Sequence, residues 1–253
     1  MTQNSFDEEV REICDLYATA SEQLEQKCYL SSIDEMSGIL ALKRKAPTKP
    51  MTPGLIERVE HEYIRHGTLS LIANFEVATG RVLSPSIGPT RNEADFATHI
   101  ENTIDTDPQG EWIFIVDRLN IHQSESLVRI IAGACEIGDE LGIKGKAGIL
   151  KSMPTRRAFL SCEHHRIRFV YIPKHTSWLN QIELWFSILD RRLLKRASFM
   201  LHWWFLSIIL SPCLRRQEIV LPMGVACTAS FNPNTVKIQI HISRGVEREL
   251  LGI

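Results

Sequence analysis

The chain has 253 residues, 44% of them hydrophobic and 23% charged, an ordinary globular composition that suits one domain with a sizeable core and a tail. Its net charge is −1, yet Asp7, Glu8, Glu9, Glu12, Asp15, Glu22 and Glu25 crowd the start against only Arg11 and Lys27, so the remainder is net positive. Six scattered cysteines without a C-x-x-C pair argue against a zinc site or disulfide framework and for a reducing cytoplasm, and neither a signal peptide, a Gly-rich phosphate loop, a serine elbow nor an internal repeat is visible.

In chain order, Phe6, Val10, Ile13, Cys14 and Tyr17 recur at helical spacing and predict one N-terminal helix within residues 1–26. Cys28 to Glu35 reads as a short apolar strand ending on two carboxylates, Asp34 and Glu35, and a second strand, Gly38 to Leu42, follows at once. A basic cluster, Lys43, Arg44, Lys45 and Lys49, comes next. Leu69 to Val77 is a third strand, closed by the turn pair Thr79-Gly80. A helix is expected over Asn92 to Ile104. Four apolar residues after Trp112 read as a buried strand, and it ends on Asp117. Ser124 can cap a helix running to Cys135.

Around residues 136–166 the chain carries Lys144, Lys146, Lys151, Arg156 and Arg157, with no acid between 144 and 157. This is either a solvated loop or an insertion that contacts phosphates, since such contacts need only clustered Lys and Arg. Arg168 to Ile172 is a further strand, stopped by Pro173. Ile182, Trp185, Phe186, Leu189 and Leu193 then form the apolar stripe of a helix, with Glu183 at its edge in the first turns and Arg191, Arg192, Lys195 and Arg196 following. Strands in a meander, then alternating helices and strands, predict an α/β mixed sheet flanked by helices. Leu201 to Leu210 is apolar all round and too short for a membrane span, which needs about 20 apolar residues; Cys213 to Ile253 has no clear period.

Three acids stand out. An acid at the C-terminal end of a buried strand, such as Asp117, sits where open α/β sheets place their ligands. A Glu near a helix N-terminus, such as Glu183, usually only complements the helix dipole. Taken with Asp34, however, three carboxylates on two strands and a helix can converge on divalent metal. Hard cations take oxygen ligands, and two of them about 4 Å apart can activate a hydroxyl and stabilise the leaving oxygen in phosphodiester cleavage.

With these acids, the blocks Ser32-Ile-Asp34-Glu35, Arg65-His66-Gly67-Thr68 leading into Asn74 to Gly80, Val116-Asp117-Arg-Leu-Asn120-Ile-His122, and Pro173 through Glu183 to Ser187 and on to Phe199 carry a resemblance. Over residues 5–199 the chain resembles the DDE-type transposases of bacterial insertion sequences, in the branch related to the mariner elements. That resemblance implies a ribonuclease H-like catalytic domain over 27–199. It makes Asp34, Asp117 and Glu183 the catalytic acids and ligands of two Mg²⁺ or Mn²⁺ ions, with Asn120, His122, Trp178 and Asn180 around them. It implies double-stranded DNA, both element ends and target, as partner, a homodimer in an active relative, and a nucleoid-associated place in the cytoplasm, with no membrane. The basic residues Lys144, Lys146, Lys151, Arg156, Arg157, Arg191, Arg192, Lys195 and Arg196 would then line a DNA path, although each cluster alone is more often a solvated face.

Two departures from the family pattern stand beside this. The Asp117 to Glu183 interval exceeds that of the shortest members, the excess falling in the basic insertion at 136–166. After Phe199 the pattern stops, and a frameshifted, divergent tail over 200–253 is expected rather than a new domain. Fewer residues precede Asp34 than helix-turn-helix modules need. A catalytic core that cleaves and joins DNA is therefore the main expectation, and a catalytically inactive remnant with at most weak DNA binding the alternative.

Overall fold

The computed structural model describes residues 3–47, 49–138 and 140–194, with the short stretches 225–226 and 241–242. Lys195, Arg196 and most of the predicted tail lie outside the described residues. The elements in order are α1 (Gln3–Glu25), β1 (Cys28–Arg44), β2 (Tyr63–Glu76), β3 (Arg81–Gly88), α2 (Glu93–Ile104), β4 (Glu111–Val116), α3 (Glu125–Ala134), α4 (Met153–Leu160), β5 (Ile167–Tyr171) and α5 (Ile182–Leu189). The two-residue strands β6 (Val225–Ala226) and β7 (His241–Ile242) pair with each other.

Five strands form one mixed sheet in the order β3-β2-β1-β4-β5. β2 runs antiparallel to both its neighbours, whereas β1, β4 and β5 are mutually parallel. A three-strand meander followed by parallel strands on the far side of β1, with helices on both faces, is the ribonuclease H-like arrangement.

β1 is a single strand where the sequence suggests two. Its pairing with β2 shifts register between Met36 and Ile39, and Gly38 there has φ of 77°. A bulge needs such a left-handed residue, and Ser-Gly in mid-strand reads as a break when only the sequence is known. The third strand of the meander is therefore β3, which Ser84 and Pro85 disguise as loop. Proline is tolerated there because β3 is an edge strand. Beyond the bulge, β1 and β2 run on as a hairpin arm bridged at Lys49 and Arg58, with Met51, Leu55, Ile56 and Tyr63 exposed and Lys45 ion-paired to Glu62 at 2.6 Å.

Strand alternation divides the core into two sides. Ile33, Trp112, Phe114, Val116, Ile167, Phe169 and Tyr171 face α2, α3 and α4. Leu30, Ile113, Ile115, Val170 and Ile172 face the opposite way, onto Ile13, Tyr17 and Ala20 of α1, and Leu71, Ala73 and Phe75 of β2 meet Ile182, Trp185, Phe186 and Leu189 of α5. Burying side chains of this size contributes roughly 1.5–3 kcal/mol each. Local signals fix the helix ends. Asn92 makes a capping box with Asp95 at the start of α2, and the Ser124 hydroxyl accepts from Leu127 N at the start of α3.

The 136–166 segment contains short structure of its own. Gly142 and Gly148, both at positive φ, let two backbone runs touch, since a Cβ on Gly142 would lie 2.2 Å from the Ala147 carbonyl oxygen. α4 follows, with Ser152 as its cap.

Candidate active site

Asp34 and Asp117 share a row on neighbouring strands. The parallel register pairs Ser32 with Ile115, and two residues further this levels Asp34 with Asp117. Adjacent strands lie about 4.8 Å apart. By alternation, Asp34 follows Leu30 and Ser32, and Asp117 follows Ile113 and Ile115, onto the side of α1 and α5.

The third acid arrives by a latch on β1. The side chain of Asn180 donates from Nδ2 to the Ile33 carbonyl at 3.0 Å and to Asp34 Oδ2 at 3.1 Å, while its Oδ1 accepts from the Ser32 hydroxyl. Ser32 Oγ accepts in turn from the backbone N–H of Ile182 at 3.2 Å. The start of α5 is thus fastened beside Asp34, and Glu183 stands in its first turn, exposed. Tyr17 of α1 supports the same loop by donating its hydroxyl to the Leu179 carbonyl at 2.6 Å.

The charges interact as the geometry requires. Burial, reinforced by the negative charges of Glu35, Asp117 and Glu183, pushes Asp34 up to about 7 against the bonding of the Glu35 N–H. Burial acts upward on Asp117 too, but bonding to His122 and to the Leu119 N–H, with the His122 and Arg91 charges, outweighs it and holds Asp117 below the usual carboxylate range. His122, although buried, is raised to about 10 by its contacts with Asp117 and Glu35. Its Nδ1 lies 2.7 Å from Asp117 Oδ1 and its Nε2 2.8 Å from Glu35 Oε1.

The donor chemistry fits divalent metal. Asp34, Asp117 and Glu183 are all carboxylates, the oxygen ligands that hard cations take, and the charges of Asp117 and Glu183 add to burial in raising Asp34. Among the described residues no group of three or more His, Cys, Asp or Glu side chains is placed to hold a metal ion as it stands.

The other predicted residues divide. Asn180 and His122 are buried and touch the acids, whereas Asn120 and Trp178 are exposed, with no bond to any of the three acids. Lys144, Lys146 and Lys151 are exposed, Lys144 lying 3.7 Å from Glu125, and Arg157 is half-buried. Arg191 bonds back to the Ser187 carbonyl at 3.0 Å. Arg156 corrects the expectation of a DNA contact. It is buried, and its guanidinium donates to the carbonyls of Gln123 at 2.7 Å and Leu150 at 3.3 Å, so these donors are used inside the protein. Sequence reasoning missed the Ser32 latch and the pairing of Glu35 with His122. Strand alternation alone could have put Ser32 on the side of Asp34; nothing local reveals the partner of Glu35.

Among the described residues no helix is long and apolar enough to cross a membrane. No curated protein matches the chain. Among solved structures it is similar to the Mos1 mariner paired end complex with Mn, at 15% identity over 74% of this chain and 56% of that one, with a TM-score of 0.32. It is likewise similar to the Mos1 paired end complex with Mg (14%, 78% and 58%, 0.31) and to the Mos1 Strand Transfer Complex (13%, 74% and 55%, 0.31). The chain therefore spans little more than half the length of those transposase chains. The sequence profile of the DDE superfamily endonucleases matches residues 30–201, a span that includes Asp34, Asp117 and Glu183 together, and on that match the chain belongs to this family.

Proposed function

We propose that the chain is the catalytic core of an insertion-sequence transposase of the mariner-related branch, cleaving double-stranded DNA at the element's ends and joining the freed 3′-hydroxyl to target DNA. The observation that carries this reading is the row of Asp34 and Asp117 on neighbouring parallel strands with the Glu183 helix latched beside it. Asp34 and Asp117 would hold two Mg²⁺ or Mn²⁺ ions, with Glu183 completing the second site. Bound there, the ions would activate the attacking hydroxyl and stabilise the leaving oxygen. The protein's own part is placement. Asn180 fixes one oxygen of Asp34, His122 and the Leu119 N–H fix Oδ1 of Asp117, and Glu183 closes the site from α5. The exposed Lys144, Lys146 and Lys151, with Arg157, Arg191 and Arg192, would contact phosphates along the duplex.

The test is nicking of supercoiled plasmid DNA by the purified chain in Mg²⁺ or Mn²⁺. Nicking that chelation abolishes and Asp117→Asn removes supports the reading. Nicking retained by Asp117→Asn defeats the mechanism, and a folded parent that never nicks selects the inactive-remnant alternative.

A further inference from the structure

Glu35 follows Asp34 directly, yet strand alternation turns it to the other side of the sheet, among the residues that face α2 and α3. Its side chain is fully removed from solvent, and Oε1 meets Nε2 of His122 at 2.8 Å. The His122 ring is equally buried, packed against Phe96 with centroids 4.3 Å apart, and its backbone carbonyl accepts the Tyr171 hydroxyl at 2.8 Å. The opposite ring nitrogen, Nδ1, meets Asp117 Oδ1 at 2.7 Å. The imidazole is therefore held at both ends by carboxylates and cannot turn without breaking both contacts. Asp117 Oδ1 also accepts the Leu119 N–H at 2.9 Å, so both of these bonds fall on one oxygen and Oδ2 takes part in neither.

Stability alone does not account for this arrangement. The second oxygen of Glu35 is buried with no hydrogen-bond partner, and a well-packed apolar residue is often as stable as a buried charged pair. An imidazole that orients a carboxylate ligand needs its own far nitrogen held, and outer partners of this kind fix ring orientation.

We propose that Glu35 is a positioning residue for Asp117, acting from the opposite side of the sheet through His122. Glu35 fixes the ring, the ring fixes Oδ1, and Oδ2 is left out of both bonds. This inference rests on the reading of Asp117 as a metal ligand, and the experiment separates the two. Glu35→Gln keeps the reach and an accepting oxygen, whereas Glu35→Asp keeps the charge and shortens the reach, and both are compared as full chains. In the metal-free proteins the ¹⁵N spectrum of the imidazole rings, with His122 identified by the loss of its signals in His122→Gln, is expected to show the Nδ1 resonance shifted more by Glu35→Asp than by Glu35→Gln. Mn²⁺ titration is expected to show Glu35→Asp weakened by about 10-fold or more, the usual scale when an outer partner is removed, and Glu35→Gln weakened less. An unmoved Nδ1 signal in Glu35→Asp overturns the proposal, as does the reverse ranking of the two variants in Mn²⁺ affinity, which would make the effect one of charge and not of placement. If Asp117→Asn binds Mn²⁺ as the parent does, the metal reading fails, and the Nδ1 signal still decides whether Glu35 positions Asp117.

Discussion

The hydroxyl of Ser32 on β1 accepts the backbone N–H of Ile182 at 3.2 Å, so the first turn of α5 is pinned to the strand that carries Asp34. The same hydroxyl donates to Asn180 Oδ1, and Asn180 reaches Asp34 Oδ2. One small polar side chain thereby ties the helix that carries Glu183 to the strand that carries Asp34. Ser32→Ala leaves the Ile182 donor and the Asn180 acceptor buried without partners, at a cost of about 1–3 kcal/mol. For a chain of this size that is roughly 2–4 °C in Tm per kcal/mol. Thermal unfolding and plasmid nicking, measured together, are expected to fall together, and an unchanged Tm would show that the latch holds nothing.

The pH dependence of the metal-free protein follows from Asp34. Its folded value of about 7 lies above the ordinary 3.8, so the folded state binds this proton more tightly than the unfolded state does. Stability from this group is present below about pH 4 and is lost as pH rises toward 7. Asp34→Asn is therefore expected to be more stable than the parent at pH 8, by at least about 1 kcal/mol, with the difference vanishing at pH 4. Mg²⁺ or Mn²⁺ should raise the parent's Tm more at pH 8 than at pH 5, because only the ionised group gains from the cation. Equal metal shifts at both pH values would detach Asp34 from the metal site.

Much of this site was legible in the sequence because its signals are local. Asp117 ends a run of apolar residues that has to be a buried strand, Asn92 and Ser124 announce their helices by side-chain capping, and the stripe from Ile182 to Leu189 fixes which side of α5 meets the sheet. What escaped was set by distant partners. Gly38 breaks the pattern of β1 although the strand continues through a bulge, and Pro85 conceals β3 because only its place at the sheet edge makes a proline acceptable. Arg156 reads as one more basic residue of the insertion until the carbonyls of Gln123 and Leu150 are seen around it. Glu35 reads in the sequence only as a second carboxylate at the end of the strand that carries Asp34. Its true neighbour, His122, lies on another element and the other side of the sheet.

The basic insertion can be dissected by separating exposed from buried charge. Replacing Lys144, Lys146 and Lys151 together by Gln should leave stability within about 1 kcal/mol of the parent, since each is exposed. If these lysines neutralise phosphates, the slope of log affinity against log salt for duplex DNA should flatten by about 0.9 for each phosphate no longer neutralised. Arg156→Gln should do the opposite, lowering Tm because its buried bonds are gone while leaving the salt slope unaltered. A flattened slope in Arg156→Gln, or an unchanged one in the triple variant, would reverse the assignment.

Acid sensitivity should come from His99. The ring is fully buried on α2, with Nδ1 2.8 Å from the Ser86 hydroxyl on β3 and Nε2 without a partner. Burial, which disfavours the charged ring, pushes its value down to about 3. The unfolded chain takes up this proton near 6.5 and the folded chain does not, so the stabilising contribution of a neutral His99 is complete above 6.5 and is lost as pH falls below it. Between those values each pH unit costs up to about 1.4 kcal/mol. His99→Leu removes the titrating group at similar volume while giving up the Ser86 bond. At pH 8 it is expected to be no more stable than the parent, whereas on going from pH 7 to pH 5 the parent's Tm should drop by several degrees more than the variant's. Parallel Tm profiles for the two chains across that range would show that another group, not His99, sets the acid limit.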